Sequence, residues 1–311
     1  MSHPIDLVID IGGTWIRIGH LEEDEAQPLE HVSTDGLRSA DPLGFLEGRI
    51  RNYLDTHEAQ LRSLMVGVPF TPDANLEKAL SSPNIRELEG LPMRSMLEER
   101  LGVPVRLERD INLLLLGEWS VGAAKGYGNV FGAFFGTGVG ACYLEQGKPF
   151  RGATGSAVEL GHIPIRGEGR QCVCGNTDCL EAYACGHTLN LLSERYNQPV
   201  AELFVNPTRH PPELQQALQE FVRDQAFAMA TAVNLFQPHL ALVGGGVPRM
   251  KGFPQEEFKR IFYNHLRRPV PAETVAFAWA ELGSKAALYG ARALVPSKGH
   301  LHESPHFQNQ I

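Results

Sequence analysis

An apolar run that stops at a glycine turn and resumes as a second apolar run occurs once in each half of this chain. No other feature constrains the fold as much. Ile5–Ile11 is short and β-branched and ends at Gly12-Gly13, and Trp15–Leu21 follows, so the glycines read as a hairpin turn between two strands. In the second half, Val130–Phe135 and Val139–Leu144 flank Gly136-Thr137-Gly138 in the same way. A third turn, Gly244-Gly245-Gly246, follows the buried run His239–Val243. The repetition implies two related α/β halves that join near residues 110–125. Glycine makes up 32 of 311 residues, above an average near 7%, and these turns hold much of the excess.

Helical spacing fills the intervals. Leu43, Leu46, Ile50, Tyr53 and Leu54 predict an amphipathic helix over about Asp41–Leu61. Arg62–Pro69 and Pro104–Leu107 read as strands, with Asp110 just beyond the second, opening a helical run at Leu113–Ala123. Pro211–Phe236 and Ser284–Leu294 are further helices, and Pro296–Ile311 reads as a polar, frayed tail. Residues 1–115 are therefore expected as a small N-terminal α/β domain, joined by the C-terminal helix at about 284–295. Residues 116–283 are expected as a larger α/β domain. No apolar stretch reaches the roughly 18 residues of a membrane span, and the start carries no basic leader, so a cytoplasmic protein is expected. The net charge of −8 argues against nucleic acid as a partner.

Each glycine turn admits two readings. Asp10-Ile11-Gly12-Gly13-Thr14 is either a plain hairpin or a phosphate cradle. In a cradle, glycine N–H groups approach phosphate oxygens, Thr14 adds a hydroxyl, and Asp10 holds a hydrated Mg²⁺. Gly136-Thr137-Gly138-Val139-Gly140 offers the same choice, and Gly244-Gly245-Gly246 either admits a flat nucleotide or serves close packing. Two threonine turns, one opening each half, suit a phosphate chain held across an interdomain cleft. The three together favour ATP.

Cysteine spacing is the second signal. Cys172, Cys174 and Cys179 follow His162 within seventeen residues, and three thiolates with one imidazole form a closed tetrahedral Zn²⁺ set of the structural kind. The loop 162–181 is otherwise too polar to pack by itself. Cys142 and Cys185 have no such neighbours and read as core residues. Glu159 precedes His162 by three positions and Glu181 follows Cys179 by two, so both carboxylates can flank a polar ligand beside a metal-bound His162. Asp110, in Glu108-Arg109-Asp110-Ile111-Asn112, is either a helix cap or a general base that takes a proton from an attacking hydroxyl.

Taken together, Asp10–Thr14, Gly136–Gly140, Glu159-Leu160-Gly161-His162 and Cys172-x-Cys174-Gly175-x-x-x-Cys179-x-Glu181 closely resemble the ROK family of sugar kinases, over residues from about 5 to 295. The resemblance implies an α/β, actin-like ATPase fold of the hexokinase type (ribonuclease H-like), with ATP and sugar meeting between two domains. It implies Asp110 as the general base, and ATP with Mg²⁺ at Asp10, Gly12, Gly13, Thr14, Gly136, Thr137, Gly138, Gly140, Gly244, Gly245 and Gly246. Asn84, Asp110, Asn112, Glu159, His162 and Glu181 are then the sugar contacts. His162, Cys172, Cys174 and Cys179 are the Zn²⁺ ligands, and a homodimer is expected. Two positions depart from the family pattern. Arg109 stands where many family glucokinases carry an asparagine that also holds sugar, and Asp178 replaces the usual glycine before the last cysteine. Arg109-Asp110-x-Asn112-Leu113, Ser82-Pro83-Asn84, Asn234-Leu235-Phe236-x-Pro238, Gly252-Phe253-Pro254 and Leu266-Arg267-Arg268-Pro269 are similar to the branch that phosphorylates allose at its 6-hydroxyl. Glucose and N-acetylhexosamines are the alternatives. Sugar-sensing DNA-binding members of the family carry a helix-turn-helix ahead of the first glycine turn. With the first turn starting at Asp10, no such segment is expected here.

Overall fold

The computed structural model describes residues 3–294; the expected tail, 296–311, lies outside the described residues. The first half is built on strands β1 (His3–Ile11), β2 (Trp15–Glu22), β3 (Glu25–Ala26), β4 (Glu30–Ser33), β5 (Ala59–Val68) and β8 (Val105–Arg109). They form one sheet of order β3-β2-β1-β5-β8, with β4 also on β2. A small hairpin, β6 (Thr71–Pro72) with β7 (Ala79–Ser81), stands apart from it. The second half repeats the plan with β9 (Val130–Phe135), β10 (Val139–Glu145), β11 (Lys148–Pro149), β12 (Leu240–Gly244) and β13 (Ala276–Trp279), in the order β11-β10-β9-β12-β13. β1 pairs antiparallel with β2 and parallel with β5, and in the second sheet β9 pairs antiparallel with β10 and parallel with β12. The two glycine turns thus occupy the same place in two copies of one topology.

Helices cover both faces of the sheets. Leu43, Leu46, Ile50 and Tyr53 of α1 (Pro42–Thr56) and Met93 and Leu97 of α2 (Met93–Leu101) pack on the face formed by Leu7, Ile9 and Ile11. α3 (Asp110–Ser120) lies between the sheets. Its Leu113 joins Val8, Met65 and Leu288 on the first, while Ile111, Leu115 and Leu116 join Val130, Phe134 and Leu242 on the second. α8 (Ala286–Leu294) packs on α3 and β1 through Ala287, Leu288 and Ala291. An expected boundary at residue 115 therefore falls inside a helix shared by both halves. Beyond the second sheet lie α4 (Glu181–Ala184), α5 (Gly186–Tyr196), α6 (Pro212–Phe236) and α7 (Gln255–Asn264). None of the described helices is long and apolar enough to cross a membrane.

Several element boundaries shift by a few residues from their sequence readings, most of all at the end of the first helix. The helix predicted over 41–61 stops at Thr56. Glu58 takes a positive φ of 49°, and Ala59–Leu61 pairs in parallel with His3–Ile5 instead. Sheet pairing wins over helical spacing where a strand partner is at hand. The helices α2, α5 and α7 were not anticipated. Cys142 and Cys185 are buried, as read.

Candidate active site

In an open α/β sheet, ligands gather beyond the carboxyl ends of the parallel strands, and β1, β5 and β8 all end on one side. Their second-to-last residues stand in register: Asp10 lies beside Gly67, and Gly67 beside Glu108. Gly67 is a close-approach position. A Cβ there would lie 3.3 Å from Asp10 Oδ1, 3.5 Å from Asp110 Cα and 3.0 Å from Leu113. On the other side of β1, the hairpin register sets Arg17 opposite Asp10, and Arg17 Nη1 donates to Asp10 Oδ2 at 2.9 Å. Asp10 is buried, and burial raises its pKa against the lowering by Arg17.

Asp110 is the first residue of α3, with Arg109 in the cap position. Its Oδ1 accepts only the neighbouring Ile111 N–H at 2.7 Å, so the carboxylate does not bridge the first helical turn as a capping side chain does. Burial is the first cause that pushes its pKa up to about 7, and the Asp10 charge is the second; Ile111 N–H, Arg109 and Arg17 act the other way. A half-buried carboxylate that gives up its proton near neutrality is suited to proton transfer.

The two glycine turns face each other. Thr14 Oγ1 and Thr137 Oγ1 are 3.4 Å apart, and a Cβ on Gly13 would be 3.7 Å from Thr137 Cβ. Beside the second turn, Gly245 has a φ of +98°, and a side chain there would collide with the Phe135 carbonyl. Gly244 pairs with Phe134 at the end of β9. All three turns predicted from sequence are thus neighbours, and Gly246 is the open edge of the third, with nothing within 4 Å of a Cβ.

Opposite them is a network of charged side chains. Arg109 Nη2 donates to Glu159 Oε1 at 2.6 Å and Nη1 to the Ala157 carbonyl at 2.9 Å. Glu108 is buried and accepts from Arg109 N (2.9 Å), Asn112 Nδ2 (2.8 Å) and both terminal nitrogens of Arg151 (2.5 and 3.1 Å). The Asn112 amide nitrogen is therefore engaged within the protein. Glu181 Oε2 accepts Val139 N–H at 2.7 Å, which ties α4 to the second glycine turn. Asn84 stands apart: it is exposed beyond β7, its carbonyl accepts from Arg38, and its side chain bonds none of the other expected residues.

Among the described residues one metal-ligand set occurs, His162, Cys172, Cys174 and Cys179, with ligand atoms all within 4.8 Å of one another. Cys172 Sγ lies 3.7 Å from His162 Nδ1, and Cys174 Sγ 3.8 Å from Cys179 Sγ. Tetrahedral Zn–S bonds of about 2.3 Å and Zn–N bonds of about 2.0–2.1 Å require edges of about 3.8 and 3.6 Å. The set fits that ion. With Nδ1 on the cysteine side, His162 Nε2 faces Glu159 Oε2 at 4.0 Å. Asp178 closes the same loop, accepting Glu168, Gly169 and Arg170 N–H at 3.0–3.2 Å and the Tyr183 hydroxyl. It holds a positive φ of 61°, where glycine is the residue under least strain.

Sequence reasoning missed Gly67, Arg17, Glu108 and Arg151. Arg17 carried a signal, being a charge inside an apolar strand, whereas Glu108 stands among the charges of Arg106 and Arg109. Gly67 and Arg151 carried none, because their partners are far away in the chain.

Comparison with known proteins places the whole chain among relatives. A sequence model described as "ROK family" matches residues 7–298. A glucokinase of Thermotoga maritima is 29% identical over 262 residues, 78% of this chain and 81% of that one. An N-acetyl-D-glucosamine kinase of Vibrio cholerae is 28% identical, over 81% of this chain and 87% of its own. The solved structure of a ROK family glucokinase from Streptomyces griseus, in complex with glucose and AMPPNP, superimposes with a TM-score of 0.77 at 26% identity. It covers 92% of this chain and 97% of that one. The doubled sheet order, with α3 and α8 between the sheets, is the actin-like ATPase fold of the hexokinase type.

Proposed function

The chain belongs to the ROK family, and from that premise we propose that it transfers the γ-phosphoryl group of ATP to the 6-hydroxyl of an aldohexose, with allose the preferred sugar. The observation that carries this reading is the position of Asp110. It stands between the Asp10–Arg17 pair on the side of the glycine turns and the Arg109–Glu159 pair on the other, feeling the charges of Asp10, Arg17 and Arg109.

The chemistry follows from that position. Phosphoryl transfer needs its reactants held in line and its charge neutralised more than it needs covalent help. Backbone N–H groups of the turns at 12–14 and 136–140, with the Thr14 and Thr137 hydroxyls, hold the phosphate chain from two sides. Gly244–Gly246 borders the rest of the nucleotide. The buried Asp10 carboxylate is a hard oxygen ligand that would hold Mg²⁺ carried with ATP, and the ion would supply charge neutralisation for the transferred group. Glu159, His162 and Glu181 receive the sugar hydroxyls, with Asn112 behind them and Asn84 brought in as residues 1–115 and 116–283 close. Asp110 takes the proton of the 6-hydroxyl as its oxygen attacks phosphorus. Zn²⁺ in the closed Cys₃His set is structural and fixes the loop that carries His162.

Allose rests on the motifs shared with that branch and on Arg109. The test is kcat/KM for allose, glucose, mannose and N-acetylglucosamine, measured as ADP release. Allose is expected to lead. A lead of more than about tenfold by another sugar, about 1.4 kcal/mol, would overturn the assignment. Buried free thiols and an ATP substrate suit a cytoplasmic enzyme. A homodimer is the expected assembly, and the acidic charge balance speaks against nucleic acid as a partner.

A further inference from the structure

β8 and the loop 151–159 are fastened together by two arginines that run in opposite directions. Arg151 reaches from the loop to the buried Glu108, and Arg109 reaches from the strand back to Ala157 and Glu159. The two ends of this clasp differ. Glu108 is enclosed, whereas the Glu159 side chain is 39% exposed on the side of His162.

That exposure matters for recognition. A carboxylate has two oxygens with about four acceptor sites between them. Arg109 fixes Glu159 Oε1 at 2.6 Å, and Oε2, which faces His162 Nε2, is the oxygen it leaves unbonded. The neighbour that holds it is an arginine, which has five N–H donors and no acceptor, and two of those nitrogens are already bonded to the loop. A ring hydroxyl that meets this corner must turn a lone pair to Arg109, and the next one must donate to Glu159. Epimeric sugars differ in where those hydroxyls point, and a fixed donor–acceptor order separates them more sharply than an amide that can do either.

We propose that Arg109 sets the sugar selectivity, by fixing Glu159 and by offering donors alone to the ring hydroxyls. This rests on the sugar-kinase reading but not on which sugar is preferred.

The experiment is the four-sugar panel repeated with Arg109→Asn and Arg109→Lys. Asparagine is too short to hold Glu159. Lysine keeps a cation there but loses the fork. In Arg109→Asn the allose-to-glucose ratio of kcat/KM is expected to change by more than about fivefold, carried mainly in KM, with Arg109→Lys in between. A purely structural role predicts that all four sugars fall together. An Arg109→Asn ratio within about fivefold of wild type overturns the proposal, and if Arg109→Asn does not fold, an Arg109→Lys ratio within about twofold of wild type overturns it. If wild type phosphorylates no sugar, the kinase reading fails and this inference with it, a result distinct from an unchanged ratio.

Discussion

The two sides of Asp110 are made of different material. Toward β1 and β9 the site is backbone: three glycine turns with two threonine hydroxyls and a single ion pair, Asp10–Arg17. Toward the loop 151–181 it is side chain: two arginines, three glutamates and a metal-ligand set, each positioned by another. A surface of N–H groups suits a ligand whose phosphates look alike from every direction. A network of fixed donors and acceptors suits one whose hydroxyls must be told apart. The difference predicts that damage to the second side abolishes sugar recognition and spares the nucleotide.

The largest expected effect comes from the metal set. Cys179→Ser, or removal of the ion by a chelator, should release the loop 162–181, because structural Zn²⁺ in small zinc domains is worth about 10–16 kcal/mol and little apolar packing replaces it there. Sugar binding is expected to fall by more than about a hundredfold, corresponding to about 2.7 kcal/mol, while nucleotide binding stays within about threefold of wild type. Metal content measured alongside both affinities checks this. Equal loss of the two would erase the distinction between the sides.

Next is Gly245→Ala, which strikes the backbone side. With a φ of +98° and the Phe135 carbonyl in the way of a Cβ, it should cost about 2–4 kcal/mol, read as a lower denaturation midpoint with weaker nucleotide binding. Arg151→Met is smaller. It strands the buried Glu108 carboxylate, but Arg151 is 38% exposed, so about 2 kcal/mol is expected rather than the full cost of breaking an enclosed pair. A denaturant titration of each variant gives both numbers. A larger loss for Arg151→Met would make the charged side the more rigid of the two.

The gentlest probe is pH. Burial and the Asp10 charge push the Asp110 carboxyl up to about 7 in the folded protein, from an ordinary value of 3.8. As a base it must be ionised, so kcat/KM should rise with pH up to about 7 and then level off. Stability has the opposite sign. Because the folded state binds this proton more tightly than the unfolded chain, the Asp110 contribution falls as pH rises from about 4 toward 7. A pH–rate profile and melts across the same range check both slopes.

The backbone side was also the more legible in the sequence. A glycine turn between two strands is a local pattern, and its place in the repeated topology followed from the repeat. The clustering of His162 with Cys172, Cys174 and Cys179 was legible for the same reason, the four lying within seventeen residues of one another. What escaped was held by distant partners. Arg109 and Glu159 are 50 positions apart, and Glu108 and Arg151 are 43. Nothing local to Arg151 marks it as a partner for a buried carboxylate. At residues 57–61 the local pattern misled, because Leu61 continued a helical stripe while the strand β1 was waiting to pair with it.

The central claim is that Asp110 accepts the proton of a sugar hydroxyl as ATP's phosphoryl group is transferred. Sugar-dependent ADP release by Asp110→Asn, with sugar and nucleotide affinities measured on the same preparation, tests it most directly. The account predicts a fall in kcat of about 10²–10⁴ with both ligands still bound. Turnover near the wild-type rate would contradict it.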